Sequence, residues 1–168
     1  MGAGKSTVGP HVARALGYFF VDADEEIQRR SRRTIPDLFR VEGEAFFREL
    51  EARIVQELTD RSQMVVALGG GAILNPESRQ RLLGTGSLVY LRAKWETLLR
   101  RLELTSRTSN PRPLLGPWVD PSVRSSVNSL LLERLPLYEV CTLSVDTDER
   151  SVEDVVREIV EFHENSHA

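Results

Sequence analysis

The residues with the most chemistry in them open the chain. Gly4-Lys5-Ser6, followed by Thr7, is the second half of the pattern G-x-x-x-x-G-K-[ST]. That pattern binds phosphate. Gly2 and Gly4, with Ala3 between them, let backbone N–H groups wrap phosphate oxygens. The Lys5 ammonium reaches the β and γ oxygens, and the hydroxyl of Ser6 or Thr7 can ligate Mg²⁺. The helix expected after Lys5 adds the positive end of its dipole. Further on, Asp22 and Asp24 are two carboxylates separated by one residue. One can orient the water shell of a Mg²⁺ ion while the other accepts a proton from a substrate hydroxyl. The same pair also reads as the N-cap and first-turn acids of a helix starting near Glu25.

Three further groups carry recognition chemistry. Arg48 and Glu51 lie three apart on one helical stretch and share a face, so the acid can hold the arginine fork ready for a carboxylate. An ordinary surface pair is the plainer alternative. Gly69-Gly70-Gly71 follows an apolar strand directly, which implies a backbone that something must approach closely. Arg112, in Arg112-Pro113-Leu114-Leu115, sits in an aperiodic segment from which an arginine can close onto transferring phosphate charge. A solvated loop arginine is its plainer reading, as a surface position is for Arg134 ahead of Pro136-Leu137-Tyr138.

These residues need a scaffold, and the periodicities supply one. Helices are expected at Lys5–Leu16, Glu25–Arg30, Ile35–Val41, Glu44–Asp60, from Pro76, at Lys94–Leu104, at Ser122–Leu137 and after the cap residue Ser151. Short apolar runs at Tyr18–Val21, Met64–Leu68, Ser87–Leu91 and Thr142–Val145 read as strands. Residues 105–120 are polar and proline-rich, and read as a loop. Pro10 implies that the first helix starts late or bends. Strands without clean alternation, separated by helices, predict an α/β fold with a doubly wound parallel sheet in three layers. Its ligands belong at the carboxyl ends of the strands.

Composition sets the outer limits. The chain has 168 residues, 40% of them apolar and 28% charged, with a net charge of −3. That describes one globular domain. It excludes a bulk-disordered chain and a strongly basic nucleic-acid binder. The lone Cys141 has no partner for a disulfide or a zinc pattern and fits a reducing, cytoplasmic setting. No run approaches the ~20 apolar residues of a membrane span, so no membrane partner is expected. His11, His163 and His167 show no metal spacing and read as surface residues.

Taken jointly, the patterns resemble the shikimate kinase family. The points of match are Gly2-Ala3-Gly4-Lys5-Ser6-Thr7, Val21-Asp22-Ala23-Asp24, and Gly43-Glu44-Ala45-Phe46-Phe47-Arg48 with Glu51. They continue with Leu68-Gly69-Gly70-Gly71-Ala72, Arg112-Pro113-Leu114-Leu115, Arg134 with Pro136-Leu137-Tyr138, and Val145-Asp146-Thr147. They fall in family order along nearly the whole chain.

The resemblance implies a P-loop fold like that of nucleoside monophosphate kinases, with a five-stranded parallel sheet and a mobile lid near 105–120. It implies phosphorylation of the 3-hydroxyl of shikimate by ATP, within aromatic amino acid biosynthesis, with Mg²⁺ as cofactor. Lys5 would hold phosphates. Ser6 would ligate Mg²⁺, with Asp22 reaching it through water. Asp24 would bind the accepting hydroxyl and act as base. Arg48 and Arg134 would grip the shikimate carboxylate, with Glu51 orienting Arg48 and the Gly69–Gly71 backbone facing the substrate. Arg112, on the lid, would contact phosphate and substrate. Arg107 and the Asp146–Arg150 turn are the adenine-side candidates. A monomer is expected. The family pattern also carries a first glycine and a first strand that this sequence lacks, and both are expected upstream of Met1. Two alternatives stay open: another small-molecule kinase of the same fold, such as a gluconate kinase, and a non-catalytic relative that only binds.

Overall fold

The computed structural model describes residues 2–107 and 121–167, with side chains described at 2–104 and 124–166. Helix α1 is Lys5–Leu16, as its spacing predicts, and Gly17 ends it at φ 68, where its N–H turns back to the Ala13 and Arg14 carbonyls. The helix does not start late. Pro10 lies inside it and leaves the Ser6 carbonyl without the usual N–H partner.

Strand β1 is Phe19–Asp22, and helices α2 (Ala23–Ser31), α3 (Ile35–Val41) and α4 (Gly43–Thr59) follow before strand β2 (Met64–Ala67). Asp22 caps α2, and Thr34 caps α3 by accepting from Asp37 N at 3.3 Å. The expected stripe on α4 faces inward. Phe47, Ile54 and Leu58 are buried with Ala23, Ile27 and Leu38, and Leu50 packs beside them.

The second half runs α5 (Pro76–Thr85), β3 (Val89–Arg92), α6 (Trp95–Arg107), α7 (Pro121–Tyr138), β4 (Leu143–Asp146) and α8 (Val152–His167). Ser151 caps α8 by accepting from Asp154 N at 3.1 Å. A second core gathers Val8 and Val12 of α1, Leu91 of β3, Val145 of β4, and Val155 and Ile159 of α8. Residues 105–107, expected as loop, continue α6. The rest of the expected lid lies outside the described residues.

Both strand pairs are parallel, β1 with β2 from Phe19↔Met64 to Asp22↔Ala67, and β3 with β4 from Val89↔Leu143 to Arg92↔Asp146. The architecture is α/β, as expected. Among the described residues, however, the strands form two two-stranded sheets and not one continuous five-stranded sheet. No ladder joins β2 to β3. A groove of about 420 Å³ separates them, lined by Met64, Val65 and Val66 on one side and Leu88 and Val89 on the other, with Val8 and Val12 of α1 against it. The facing strand edges carry backbone groups of the kind that a further parallel strand would pair with. His163, expected on the surface, is half-buried and meets the Tyr18 ring edge-on at 5.7 Å. The pairing has a simple cause: an apolar stripe holds α8 against α1, which brings its last turns to the start of β1.

Candidate active site

The start of α1 is built to receive an anion. Gly4, at φ 95, occupies its N-cap position and makes no side-chain cap. Thr7 N and Val8 N turn to the Gly4 carbonyl at 3.0 and 2.8 Å. The first turn of α1 carries no acid, whereas α2, α3, α5 and α8 each carry at least one there. Its dipole is therefore not neutralised from within. Gly2, at φ 69, lies close against α6, where an added Cβ would meet Leu98 O at 3.1 Å. The Gly2 carbonyl accepts from Arg101 Nη1 at 3.4 Å, and Arg101 also reaches Thr147 Oγ1 at 2.9 Å and Thr147 O at 2.7 Å. One arginine thus ties the phosphate loop to the turn after β4.

Asp22 uses both of its carboxylate oxygens. Its Oδ1 accepts from Asp24 N at 3.0 Å and Glu25 N at 3.4 Å, which caps α2. Its Oδ2 accepts from Ser6 Oγ at 2.9 Å. A hydroxyl and a carboxylate oxygen side by side at the phosphate loop are hard donors. They suit Mg²⁺, which keeps several waters and takes few protein ligands beside the phosphates. Among the described residues, no group of three or more His, Cys, Asp or Glu could hold a metal alone.

The three glycines after β2 form the hub of the other half. Each opens room for a different polar side chain. A Cβ on Gly69 would stand 2.8 Å from both Asp24 Oδ1 and Glu51 Oε1. On Gly70 it would meet Tyr138 Oη at 3.2 Å and Arg134 Nη1 at 3.5 Å. On Gly71 it would overlap the Arg48 guanidinium. None of the three needs a left-handed backbone, so close approach is what excludes a side chain here. Asp24, Arg48, Glu51 and Arg134, distant in sequence, therefore converge on one stretch of backbone. Lys5, Gly69 and Gly70 line a common cavity of about 110 Å³.

The electrostatics match that convergence. Arg48 Nη1 donates to Glu51 Oε2 at 2.7 Å, and Arg48 Nη2 donates to Glu44 Oε1 at 3.2 Å. Glu51 is only 4% exposed. Burial pushes its carboxyl up from the ordinary range, Arg48 pulls it back down, and the charge of Asp24 raises it further. Arg134 Nε is buried without a hydrogen-bond partner. A buried N–H of a fixed cation with no protein acceptor is open to a water or an anion.

The expected site residues Gly2, Ala3, Gly4, Lys5, Ser6, Thr7, Asp22, Asp24, Arg48, Glu51, Gly69, Gly70, Gly71 and Arg134 are all described: Gly2, Ala3 and Gly4 lead into α1, Lys5, Ser6 and Thr7 form its first turn, and the others lie at the carboxyl ends of β1 and β2 or on α2, α4 and α7. Arg112 and the side chain of Arg107 lie outside the described residues. On the adenine side, Asp146 is already engaged in a two-bond pair with Arg92, at 2.7 and 2.6 Å. The sequence reading gave no role to Arg101, Glu44 or Tyr138. Tyr138 had a usable signal, since it stands one helical turn after Arg134 on the same face of α7.

A protein-family model described as shikimate kinase matches residues 1–164. A curated shikimate kinase from Thermus thermophilus is 45% identical over 161 residues, covering 96% of this chain and 84% of the relative. One from Bordetella pertussis is 45% identical over 161 residues, covering 95% of this chain and 73% of the relative. Among solved structures, shikimate kinase from Acinetobacter baumannii in complex with shikimate is similar with a TM-score of 0.87 and 38% identity, covering 99% of this chain and 89% of that one. The Bacteroides thetaiotaomicron shikimate kinase gives a TM-score of 0.89 at 32% identity, covering 98% of this chain and 94% of that one. A gluconokinase from Sinorhizobium meliloti, at 24% identity and a TM-score of 0.55, shares the fold alone.

Proposed function

The chain belongs to the shikimate kinase family, and from that premise we propose how its own residues carry out the reaction. The activity is ATP-dependent phosphorylation of shikimate: the γ-phosphoryl group passes to the 3-hydroxyl, leaving ADP and shikimate 3-phosphate. The observation that carries the assignment of residues is the meeting of Asp24, Arg48, Glu51 and Arg134 around Gly69–Gly71.

On this reading the phosphates of ATP sit on the N–H groups of Gly2–Thr7 and the Lys5 ammonium. Ser6 would ligate Mg²⁺, with Asp22 reaching it through water, and the ion would neutralise phosphate charge. Arg48 and Arg134 grip the shikimate carboxylate, and the unpartnered Arg134 Nε supports that role. Gripping the carboxylate fixes the ring, and the ring places the hydroxyl at Asp24. Asp24 accepts the hydroxyl proton as the oxygen attacks phosphorus and the bond to the ADP oxygen breaks. Positioning carries most of the rate, because phosphoryl transfer needs little covalent help from the protein. Arg107 and Arg112 complete the site from the lid side. We also read the chain as one domain, acting as a cytoplasmic monomer. None of its described helices is long and apolar enough to cross a membrane.

A coupled ADP-release assay with ATP and Mg²⁺ tests the reading against a panel holding shikimate and gluconate. ADP release that depends on shikimate is expected. Release with gluconate and not shikimate overturns the acceptor. ATP binding in folded protein, with no turnover on any acceptor, points to a binding module.

A further inference from the structure

Tyr138, the last residue of α7, reaches across to the three-glycine turn. Its Oη donates to the Gly70 carbonyl at 2.8 Å. The other two glycine carbonyls are used within the turn itself: Gly69 O accepts from Ala72 N at 3.1 Å, and Gly71 O from Leu74 N at 2.9 Å. Gly70 O is thus the carbonyl of the three whose partner comes from a distant element. In a trans peptide, the carbonyl of Gly70 and the N–H of Gly71 point opposite ways from one rigid plane. Anchoring the first therefore aims the second, at the residue that lies against Arg48.

The anchor is itself held. The Tyr138 ring stacks on Tyr90 of β3, with centroids 5.3 Å apart and planes at 26°. One turn earlier on α7, Arg134 places Nη1 3.5 Å from where a Gly70 Cβ would stand. A single hydrogen bond therefore joins the helix that carries Arg134 to the turn that faces Arg48.

We propose that Tyr138 is a positioning residue for the acceptor: through its bond to Gly70 O it holds Arg134 and the Gly70–Gly71 peptide in the geometry that receives the shikimate carboxylate. The inference rests on the acceptor reading above. Tyr138→Phe removes the hydroxyl and keeps the ring on Tyr90. Calorimetric Kd values for shikimate and for ADP, KM and kcat, and Tm are measured on both proteins. The variant is expected to weaken shikimate binding about tenfold, the effect of one lost hydrogen bond to a part-buried carbonyl. KM for shikimate should rise in step, while Kd for ADP and kcat stay within about twofold. A merely structural role would lower Tm and move both ligands together. Tyr90→Leu keeps the hydroxyl but frees the ring. It should weaken shikimate binding by a smaller factor, about threefold, again sparing ADP. An unchanged Kd for shikimate in Tyr138→Phe, or equal weakening of ADP, overturns the proposal. A wild-type chain that binds ADP but no shikimate overturns the acceptor reading and takes this proposal with it.

Discussion

The two halves of the site are made of different material. The phosphate side is mostly backbone: glycines at φ 69 and 95, an uncapped helix start, and one lysine, all within Gly2–Thr7. The acceptor side is mostly side chains, drawn from α2, α4 and α7 onto the turn after β2. The cores divide in the same way. Val8 and Val12 of α1 pack with β3, β4 and α8, while α2, α3 and α4 close over β1 and β2. A backbone cradle reads charge and serves any polyphosphate. A ring of side chains aimed from separate elements reads one shape. Generality therefore sits in a short local segment, and selectivity in the tertiary fold.

That difference is exposed most sharply at Asp24. Asp24→Asn keeps the size and removes the base. We expect kcat to fall by about 10² to 10⁴, the usual worth of a positioned general base. Kd for ADP should not change, because on the proposed reading the nucleotide lies on the other half. An equal loss of ADP affinity in steady-state and binding measurements would show that the halves are not separate.

Gly71→Ala comes next in size. Its Cβ would overlap the Arg48 guanidinium, so Arg48 has to leave Glu51 or the turn has to shift. KM for shikimate should rise by tenfold or more, about the worth of one charged hydrogen bond. Gly84→Ala is the control. Gly84 lies in α5 with open space where a Cβ would go, and there alanine should stabilise by about 0.5–1 kcal/mol with unchanged kinetics. If both variants behave alike, close approach is not what the three glycines are for.

The same contrast explains what was legible in the sequence. Gly4-Lys5-Ser6 could be read directly, because a backbone site is contiguous. The helices were readable to within a few residues at each end, because periodicity and caps such as Ser151 are local. Asp22 stayed ambiguous in sequence for a physical reason: its two oxygens face different partners, one the α2 backbone and one Ser6. The partners of Gly69, Gly70 and Gly71 could not be assigned by spacing at all, since long-range packing decides which side chain meets which glycine. The family resemblance anticipated that Asp24, Arg48, Glu51 and Arg134 serve one substrate, but not which of them meets which glycine, and it gave Tyr138 no role. The split between β2 and β3 could not be read from the strand runs, which do not state their neighbours, but it fits the first strand that the family pattern carries and this sequence lacks. His163 was misjudged because its burial comes from α8 packing on α1, not from the residues around it.

A smaller effect follows from pH. Burial raises the Glu51 carboxyl above its ordinary 4.5. A group raised on folding gives its stabilisation below the unfolded value and loses it as pH rises through the folded value, so ionised Glu51 weakens the fold at neutral pH. Binding runs the other way, because only the ionised form holds Arg48 by charge. KM for shikimate should therefore climb a few-fold as pH falls from neutral and Glu51 takes up a proton, which it does earlier than an ordinary carboxyl. Glu51→Gln should flatten that profile. Glu26 gives the opposite sign. Arg29 and Arg30 lower it to about 2, so its stabilisation is present above 4.5 and fades as pH falls towards 2. A wild-type KM that is flat over the range, beside an equally flat Glu51→Gln, would remove Glu51 from the acceptor side.

The smallest expected effect separates the two acids on Arg48. Glu51 is buried and fixes the fork from below, whereas Glu44 is exposed and shares the outer nitrogens, Nε at 3.3 Å and Nη2 at 3.2 Å. On the proposed reading the substrate carboxylate approaches those outer nitrogens, so Glu44 stands where the substrate must come. An exposed ion pair of this kind is worth only about 0–1 kcal/mol. Glu44→Gln should thus lower KM for shikimate, by no more than about threefold, with the gain shrinking as salt is added. Glu51→Gln should raise it. Opposite signs from two acids bound to one arginine would separate the group that aims Arg48 from the group that the substrate displaces. A rise in KM for both variants would mean instead that Glu44 also aims the fork, and that Arg48 meets the carboxylate from another side.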